Sequence, residues 1–329
     1  MICLPHPYHN EIPSFLKPYL SSPALERLRN VDMNCGMSFT SFPRFSCVPP
    51  ASRYEHSLGT ALIVWHFTGD RRQTLAALFH DIATPAFSHV ADFLHGDHMK
   101  QESTEKETKR LITGDPVIMD QLAEDGIHPD EVYDYHLYPV ADNDSPRLSA
   151  DRLEYTCTNI AAYGFAAIED VSRLYDDLCV IKNEEGQDEL AFRHDECGAE
   201  FALLALKCGK IYSCDEDRYG MEYLAGIIRE GIRLGIMREE DLYTGDDSVM
   251  AMLENSPLRE MTGFYRHLVM VMKTDPSDPD GIIIDTKKRY IDPLGPSGRA
   301  SQYSEKFRIQ RDEFLNEDYA YPLKGVSHE

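Results

Sequence analysis

Three short segments of this chain bring together residue types that can hold a metal ion. Arg53-Tyr54-Glu55-His56, Phe79-His80-Asp81 and Ser149-Ala150-Asp151 supply two imidazoles, carboxylates and a guanidinium. Imidazole nitrogen and carboxylate oxygen suit a divalent first-row metal such as Mn, Fe, Co, Ni or Zn, with His56, His80, Asp81 and Asp151 as ligands. Such a metal, left with open positions, lowers the pKa of a bound water and draws charge from a phosphoryl group. Arg53 beside it would add a two-pronged clamp on a phosphate. The chemistry indicated is hydrolysis of a phosphate ester or anhydride. The dipeptide His-Asp alone carries little, because His194-Asp195 repeats it at a strand-to-helix boundary, where Asp195 reads as a helix N-cap.

The elements that must position these groups are helices. Residues 53–68 carry Leu58, Ala61, Ile63, Val64 and Trp65, a mostly buried helix stopped by Gly69-Asp70, on which Arg53 and His56 share a face. Residues 72–82 predict a second helix, closed by Thr84-Pro85, with His80 and Asp81 in its last turn. A helix over 147–162, ended by Gly164, places Asp151, Tyr155 and Asn159 at i, i+4 and i+8 on one face. Further helices are expected at 24–31, 99–113, 116–124, 129–137, 195–213, 216–236, 247–254 and 257–267. Residues 177–193 alternate around Glu184-Glu185-Gly186 and read as a β-hairpin. Short strands are expected at 267–273, 281–285 and 288–291. The fold class is all-α with a small β-hairpin and a short α+β C-terminal extension. The divisions are an N-terminal segment 1–50, a catalytic core 51–176, a hairpin with further helices 177–262, and the extension 263–329.

Composition narrows the partners. The formal net charge of −23 over 329 residues disfavours non-specific contact with nucleic acid or anionic membrane. A small anionic substrate stays compatible, since a metal and a few local cations reverse the field inside a cavity. Eight cysteines without a CxxC pair, a start lacking the basic and apolar regions of a signal peptide, and no membrane-length apolar run point to a cytoplasmic protein with reduced thiols. His66, His136 and His267 read as structural. Lys106, Lys109 and Arg110 alternate with acids on a solvated helix face, from which Lys100 alone could reach the cleft. Asp275–Asp280 lacks the ligand order of a calcium loop.

Several segments resemble the HD superfamily of metal-dependent phosphohydrolases, in particular the branch containing deoxynucleoside triphosphate triphosphohydrolases. These are Arg53–Thr60 (RYEHSLGT), Phe79–His89 (FHDIATPAFSH), Ala150–Tyr155 (ADRLEY), residues 22–31 (SPALERLRNV) and residues 288–293 (KRYIDP). The resemblance implies an HD-domain fold with His56, His80, Asp81 and Asp151 as metal ligands. It implies Arg53 as a phosphate contact, His89 and Asp92 as catalytic-loop residues, and Tyr155 and Asn159 on the substrate side, where Lys100 is a further candidate by its place near the cleft. It further implies a small phosphorylated substrate of nucleotide type, Mg accompanying substrate phosphates, and a homo-oligomer built on the 32–50 segment and the C-terminal strands.

The departures from that pattern matter as well. Thr84 stands where relatives commonly carry a histidine, Lys100 or Gln101 where another is expected, and Asn159 where an aspartate is usual. Tyr212 is followed by Ser213, Cys214, Asp215 and Glu216 rather than by basic residues. The loss of the histidine at Thr84 and of the basic residues after Tyr212 removes positive or proton-donating character from the place of a triphosphate. Two alternatives therefore stand beside a triphosphohydrolase: a monophosphatase, and a nucleotide- or metal-binding regulatory protein that turns over poorly.

Overall fold

The structure, a computed structural model, describes residues 8, 9, 11–96 and 105–328. Lys100, with His98, Gln101 and the start of the expected 99–113 helix, lies outside the described residues.

The first long helix, α1 (Arg53–Thr68), starts where Ser52 and Glu55 close a capping box and stops at Gly69, whose φ of 61° only glycine takes without strain. It is buried on most sides, including Arg53, His56, Ser57 and Thr60, as suits a central helix. After a two-residue turn α2 (Arg71–Phe79) packs against it, opened by Asp70, which accepts from the amides of Arg72 and Gln73. This helix ends three residues before the expected 82. His80 is its C-cap, and the amides of Ile82 and Thr84 bond back to Phe79 and Asp81 in turns. The His80-Asp81 dipeptide thus sits on a turn rather than in a last helical turn.

Next come α3 (Val90–His95), α4 (Glu105–Gly114), α5 (Pro116–Asp125) and α6 (Ala150–Ala162). Ser149 caps α6 by accepting from the Arg152 amide, and α6 packs on α1, which sets its Asp151 face against His56. Between α5 and α6 the expected 129–137 helix is two separate 3-10 turns, Pro129–Glu131 and Tyr135–Leu137. His128 and Asp134 bond nearby backbone amides there and so compete with a continuous helix.

A helix not expected from the sequence, α7 (Ile168–Asp176), leads into the hairpin of β1 (Leu178–Lys182) and β2 (Asp188–Phe192). Its strands pair antiparallel from Leu178↔Phe192 to Lys182↔Asp188. Then follow α8 (Asp195–Ile211), α9 (Asp215–Arg233), α10 (Asp246–Glu254) and α11 (Arg259–Arg266). His194, not Asp195, is the N-cap of α8; the Asp195 carboxylate instead accepts from the Ser297 amide at 3.1 Å.

The last part holds β3 (Leu268–Lys273), β4 (Ile282–Ile283), β5 (Leu294–Gly295), β6 (Gly298–Arg299), α12 (Glu305–Leu315) and β7 (Pro322–Ser327). The two short strands β5 and β6 join the hairpin in the order β1-β2-β5-β6, while β7 lies between β3 and β4 in a second sheet. Residues 288–291, expected as a strand, run as an irregular segment whose bonds go to other parts of the chain, not to a sheet neighbour. The described protein is mainly helical with small sheets. No helix among the described residues is long and apolar enough to cross a membrane. The described cysteines are free thiols.

The C-terminal segments are fastened by one fully buried guanidinium. Arg218 of α9 donates to the carbonyls of Ile284 and Tyr319, pairs with Asp215 at 2.8 Å, and lies under the rings of Tyr319 and Tyr321. Arg218→Ala strands the buried Ile284 carbonyl and the half-buried Tyr319 carbonyl and opens a void, so it should cost about 3–5 kcal/mol, the scale of breaking a buried ionic contact. A chemical-denaturation midpoint unchanged from wild type would contradict this role.

Candidate metal centre

The four sequence-predicted ligands converge. The Nε2 atoms of His56 and His80 are 3.1 Å apart, and Asp151 Oδ1 lies 3.0 Å from the first and 3.4 Å from the second. Asp81 Oδ2 is 3.6 Å from His56 Nε2 and 3.5 Å from His80 Nε2. Ligand atoms of His56, His80 and Asp151 all fall within 4.8 Å of one another.

The tautomers are fixed from outside. His56 Nδ1 lies 2.5 Å from Glu154 Oε2, and His80 Nδ1 lies 2.7 Å from the Ala77 carbonyl. Both partners are acceptors, so each Nδ1 carries the proton and each Nε2 turns its lone pair into the cluster. Two lone pairs at 3.1 Å beside two carboxylates repel unless a cation or protons lie among them. Without a metal the cluster keeps protons: burial opposes charge on His56, but Glu154 and Asp151 outweigh it and hold its pKa at about 10. For Asp81 burial works upward, yet Arg53 and the two imidazoles hold it well below the carboxylate range. The donor set fits a divalent cation of the N/O-binding kind.

Arg53 is committed to this centre. Its Nη1 donates to Asp81 Oδ2 at 2.7 Å and its Nε to Ser88 Oγ at 3.0 Å. Ser88 in turn donates to the Asp32 carbonyl. The loop that presents Ser88 is conformationally costly, because Phe87 and Ser88 take φ of 60° and 53°. Buried Asp246 holds it by accepting from the amides of Phe87 at 2.7 Å and Asp32 at 2.9 Å, and the Ala86 amide bonds the Leu242 carbonyl. Thr84 donates to Asp81 Oδ1 at 2.9 Å and so fixes the second oxygen of that carboxylate.

The cluster opens into a cavity of about 360 Å³. Arg53, His89, Asp92, Tyr155 and Asn159 all line it, together with His80, Asp81 and Asp151, while His56 sits behind them. His89 Nδ1 lies 2.8 Å from Asp92 Oδ2, which leaves Nε2 to act on a proton. Burial, with the charges of Arg289 and Arg53, lowers the His89 pKa against the pull of Asp92. Tyr155 stands with its ring centroid 6.4 Å from that of His56, and Asn159 donates to Tyr212 at 2.7 Å.

Several further residues in or beside the cavity are not among the sequence-predicted candidates, although Arg289 lies in the KRYIDP segment. His136, expected to be structural, lines the cavity and stacks on Tyr135, whose ring meets that of His80. Glu154, which orients His56, stands at i+3 from Asp151, a spacing that puts it on the same side of α6 and could have pointed to it. Asp142, Asp217, Lys287 and Arg289 also line the space. Burial pushes the Asp217 carboxyl up to about 8 despite Arg289 nearby.

No family model matches the chain. It is similar to the uncharacterized protein YdhJ of Bacillus subtilis, 26% identical over 254 residues, which covers 77% of this chain and 74% of that protein. It is also similar to the metal-dependent phosphohydrolase cns2 of Cordyceps militaris, 30% identical over 160 residues, 48% of this chain and 44% of the relative. The match thus spans less than half of the Cordyceps protein. Among solved structures, a hypothetical protein from Aquifex aeolicus has the same fold at a TM-score of 0.62 and 18% identity, covering 96% of this chain and 93% of that one.

Proposed function

We propose that this chain is a metal-dependent phosphohydrolase of the HD type that cleaves a phosphate ester or anhydride of a nucleotide-like substrate, in the manner of the deoxynucleoside triphosphate triphosphohydrolases. His56, His80, Asp81 and Asp151 would hold its divalent metal. The observation that carries this reading is the pair of Nε2 lone pairs, fixed by Glu154 and the Ala77 carbonyl, aimed into one point with two carboxylates. The likeness to a relative named as a metal-dependent phosphohydrolase supports it.

When bound, the metal supplies Lewis-acid polarisation of a phosphoryl oxygen and acidification of water. The protein supplies the rest. Arg53, already oriented by Asp81 and Ser88, lends positive charge to the phosphoryl oxygens as negative charge builds. His89 is neutral near pH 7 and accepts the proton of the attacking water at Nε2, while Asp92 steadies the imidazolium that forms. Burial raises the Tyr155 phenol, so it stays protonated and donates to the substrate. Asn159 and Tyr212, bonded to each other, form the wall for the sugar.

Metal removal tests the reading. Chelator-stripped protein should release no phosphate from deoxynucleotides and should recover on addition of about one equivalent of Mn²⁺ or Co²⁺ per chain. Full activity in the stripped protein, with metal content verified as absent by mass spectrometry, would end it.

A further inference from the structure

The turn that carries His80 and Asp81 is held by a residue far upstream. Arg27 opens the 3-10 turn Arg27–Asn30, directly after the short helix Pro23–Glu26. This base is anchored in its own right. Ser22 accepts from the Leu25 amide, Asp115 at the start of α5 accepts from the Ala24 amide, and Leu25 and Leu28 are fully buried. From there Arg27 Nη2 donates to the Ile82 carbonyl at 2.9 Å and to the Thr84 carbonyl at 2.8 Å. Among the described residues no other donor reaches either carbonyl.

The rest of the guanidinium is unused. Its Nε and Nη1 are buried and have no hydrogen-bond partner among the described residues. Burial pulls the group down to about 10, although Tyr243, Asp246 and Asp81 favour its charge, so it stays protonated at neutral pH. A buried cation with idle N–H groups weakens the fold. Two carbonyls could be satisfied by a lysine, whose ammonium has fewer N–H groups to place. What the guanidinium adds is a rigid plane, which sets the directions of both Nη2 hydrogens. The ring of Tyr243 faces that plane with its centroid 5.8 Å from Cζ.

The turn so held presents the Asp81 carboxylate. Thr84, whose carbonyl Arg27 takes, donates from its hydroxyl to Asp81 Oδ1 and from its amide to the Asp81 carbonyl. Arg53 takes the other carboxylate oxygen. The later part of the same loop is held by the segment that bears Tyr243: the Leu242 carbonyl accepts from Ala86 and the Asp246 carboxylate from Phe87.

We propose that Arg27 is a positioning residue of the metal centre: it fixes the turn 82–84 and, through Thr84, the orientation of the Asp81 carboxylate. The role rests on that part of the proposed function which makes His56, His80, Asp81 and Asp151 the ligands. Satisfying the two carbonyls is not enough for it; their spacing and direction must be set, which is why a side chain with idle buried N–H groups stands here.

The test is Co²⁺ binding to full-length protein freed of metal, read as affinity and as the visible absorption of the bound ion, with denaturation midpoints on the same samples. Arg27→Lys should keep a midpoint at or above that of wild type. It should still bind Co²⁺ several-fold more weakly with a shifted band, because a rotating ammonium satisfies the carbonyls without fixing them. Arg27→Met should weaken Co²⁺ by about tenfold or more, the scale of losing a group that orients a ligand. In a Thr84→Val background Arg27→Met should cost less than it does alone, since the two act along one path. Wild-type affinity and band in Arg27→Lys, or fully additive losses with Thr84→Val, overturn the role. Phosphate release with Mn²⁺ is scored separately. Wild type that binds Co²⁺ but hydrolyses no deoxynucleotide contradicts the phosphohydrolase reading and leaves the positioning role standing.

Discussion

An Asp81→Asn protein should fold normally and lose about 1000-fold or more in kcat/KM for phosphate release, roughly 4 kcal/mol of transition-state stabilisation. The substitution is nearly isosteric and its hydrogen bonds can be kept. Thr84 Oγ1, now a donor to Oδ1, can accept from the new amide, and the remaining oxygen can stay on Arg53. What disappears is the negative charge that balances Arg53 and the two imidazoles. Metal occupancy should fall with activity, and the melting temperature should stay close to that of wild type. Mass-spectrometric metal content, phosphate release and thermal melts on the same preparation check all three. A variant that retains both metal and rate would remove Asp81 from the centre.

The second large effect concerns His89. His89→Gln should lower kcat by about 10²–10⁴-fold, the usual contribution of a positioned general base, with metal content unchanged. Glutamine can keep a bond to Asp92 but cannot take a proton. The pH profile separates this role from a structural one. His89 works as a base only when neutral, and its pKa is lowered below the ordinary 6.5. Wild-type kcat should therefore rise with pH through an acidic limb below 6.5 and be flat by neutrality, while the variant should lack that limb. A variant with reduced kcat and the wild-type acidic limb would mean that another group carries the proton.

Much of the helical frame is legible in the amino-acid sequence. The bounds of α1 can be read because both ends carry local signals, the Ser52–Glu55 box and Gly69. The face of α6 bearing Asp151, Tyr155 and Asn159 follows from helical spacing alone, and all three line the cavity. Glu154 lies off that i+4 row, although its carboxylate orients His56. The end of α2 is harder to place. His80 and Asp81 are held by bonds to Ala77 and Arg53, the second of which no local rule contains.

The C-terminal part is least legible, and the reason is range. The strand β7 pairs with β3 across about fifty residues of chain, and Gly325 within it weakens any local strand signal. In the fold that glycine admits the Leu268 and Tyr219 side chains, which a Cβ would meet at 2.6 Å. Lys287 and Arg289 likewise owe their place to Arg218, Gly209 and Pro146, each remote in sequence. The segment after Tyr212 offers the site no cations. The fold brings two of them in from its C-terminal segment.

Whether His56, His80, Asp81 and Asp151 hold a metal that works on phosphorus is tested most directly by phosphorus NMR. The Mn²⁺-reconstituted protein would be incubated with deoxynucleoside mono- and triphosphates, quenched with chelator, and compared with an Asp81→Asn control. Wild type should yield tripolyphosphate and deoxynucleoside from the triphosphates, and the control should leave substrate unchanged. Orthophosphate from monophosphates alone would retain the metal chemistry and replace the substrate. Unchanged spectra from metal-loaded wild type across the panel, or equal turnover by the control, would contradict a phosphohydrolase built on these four residues.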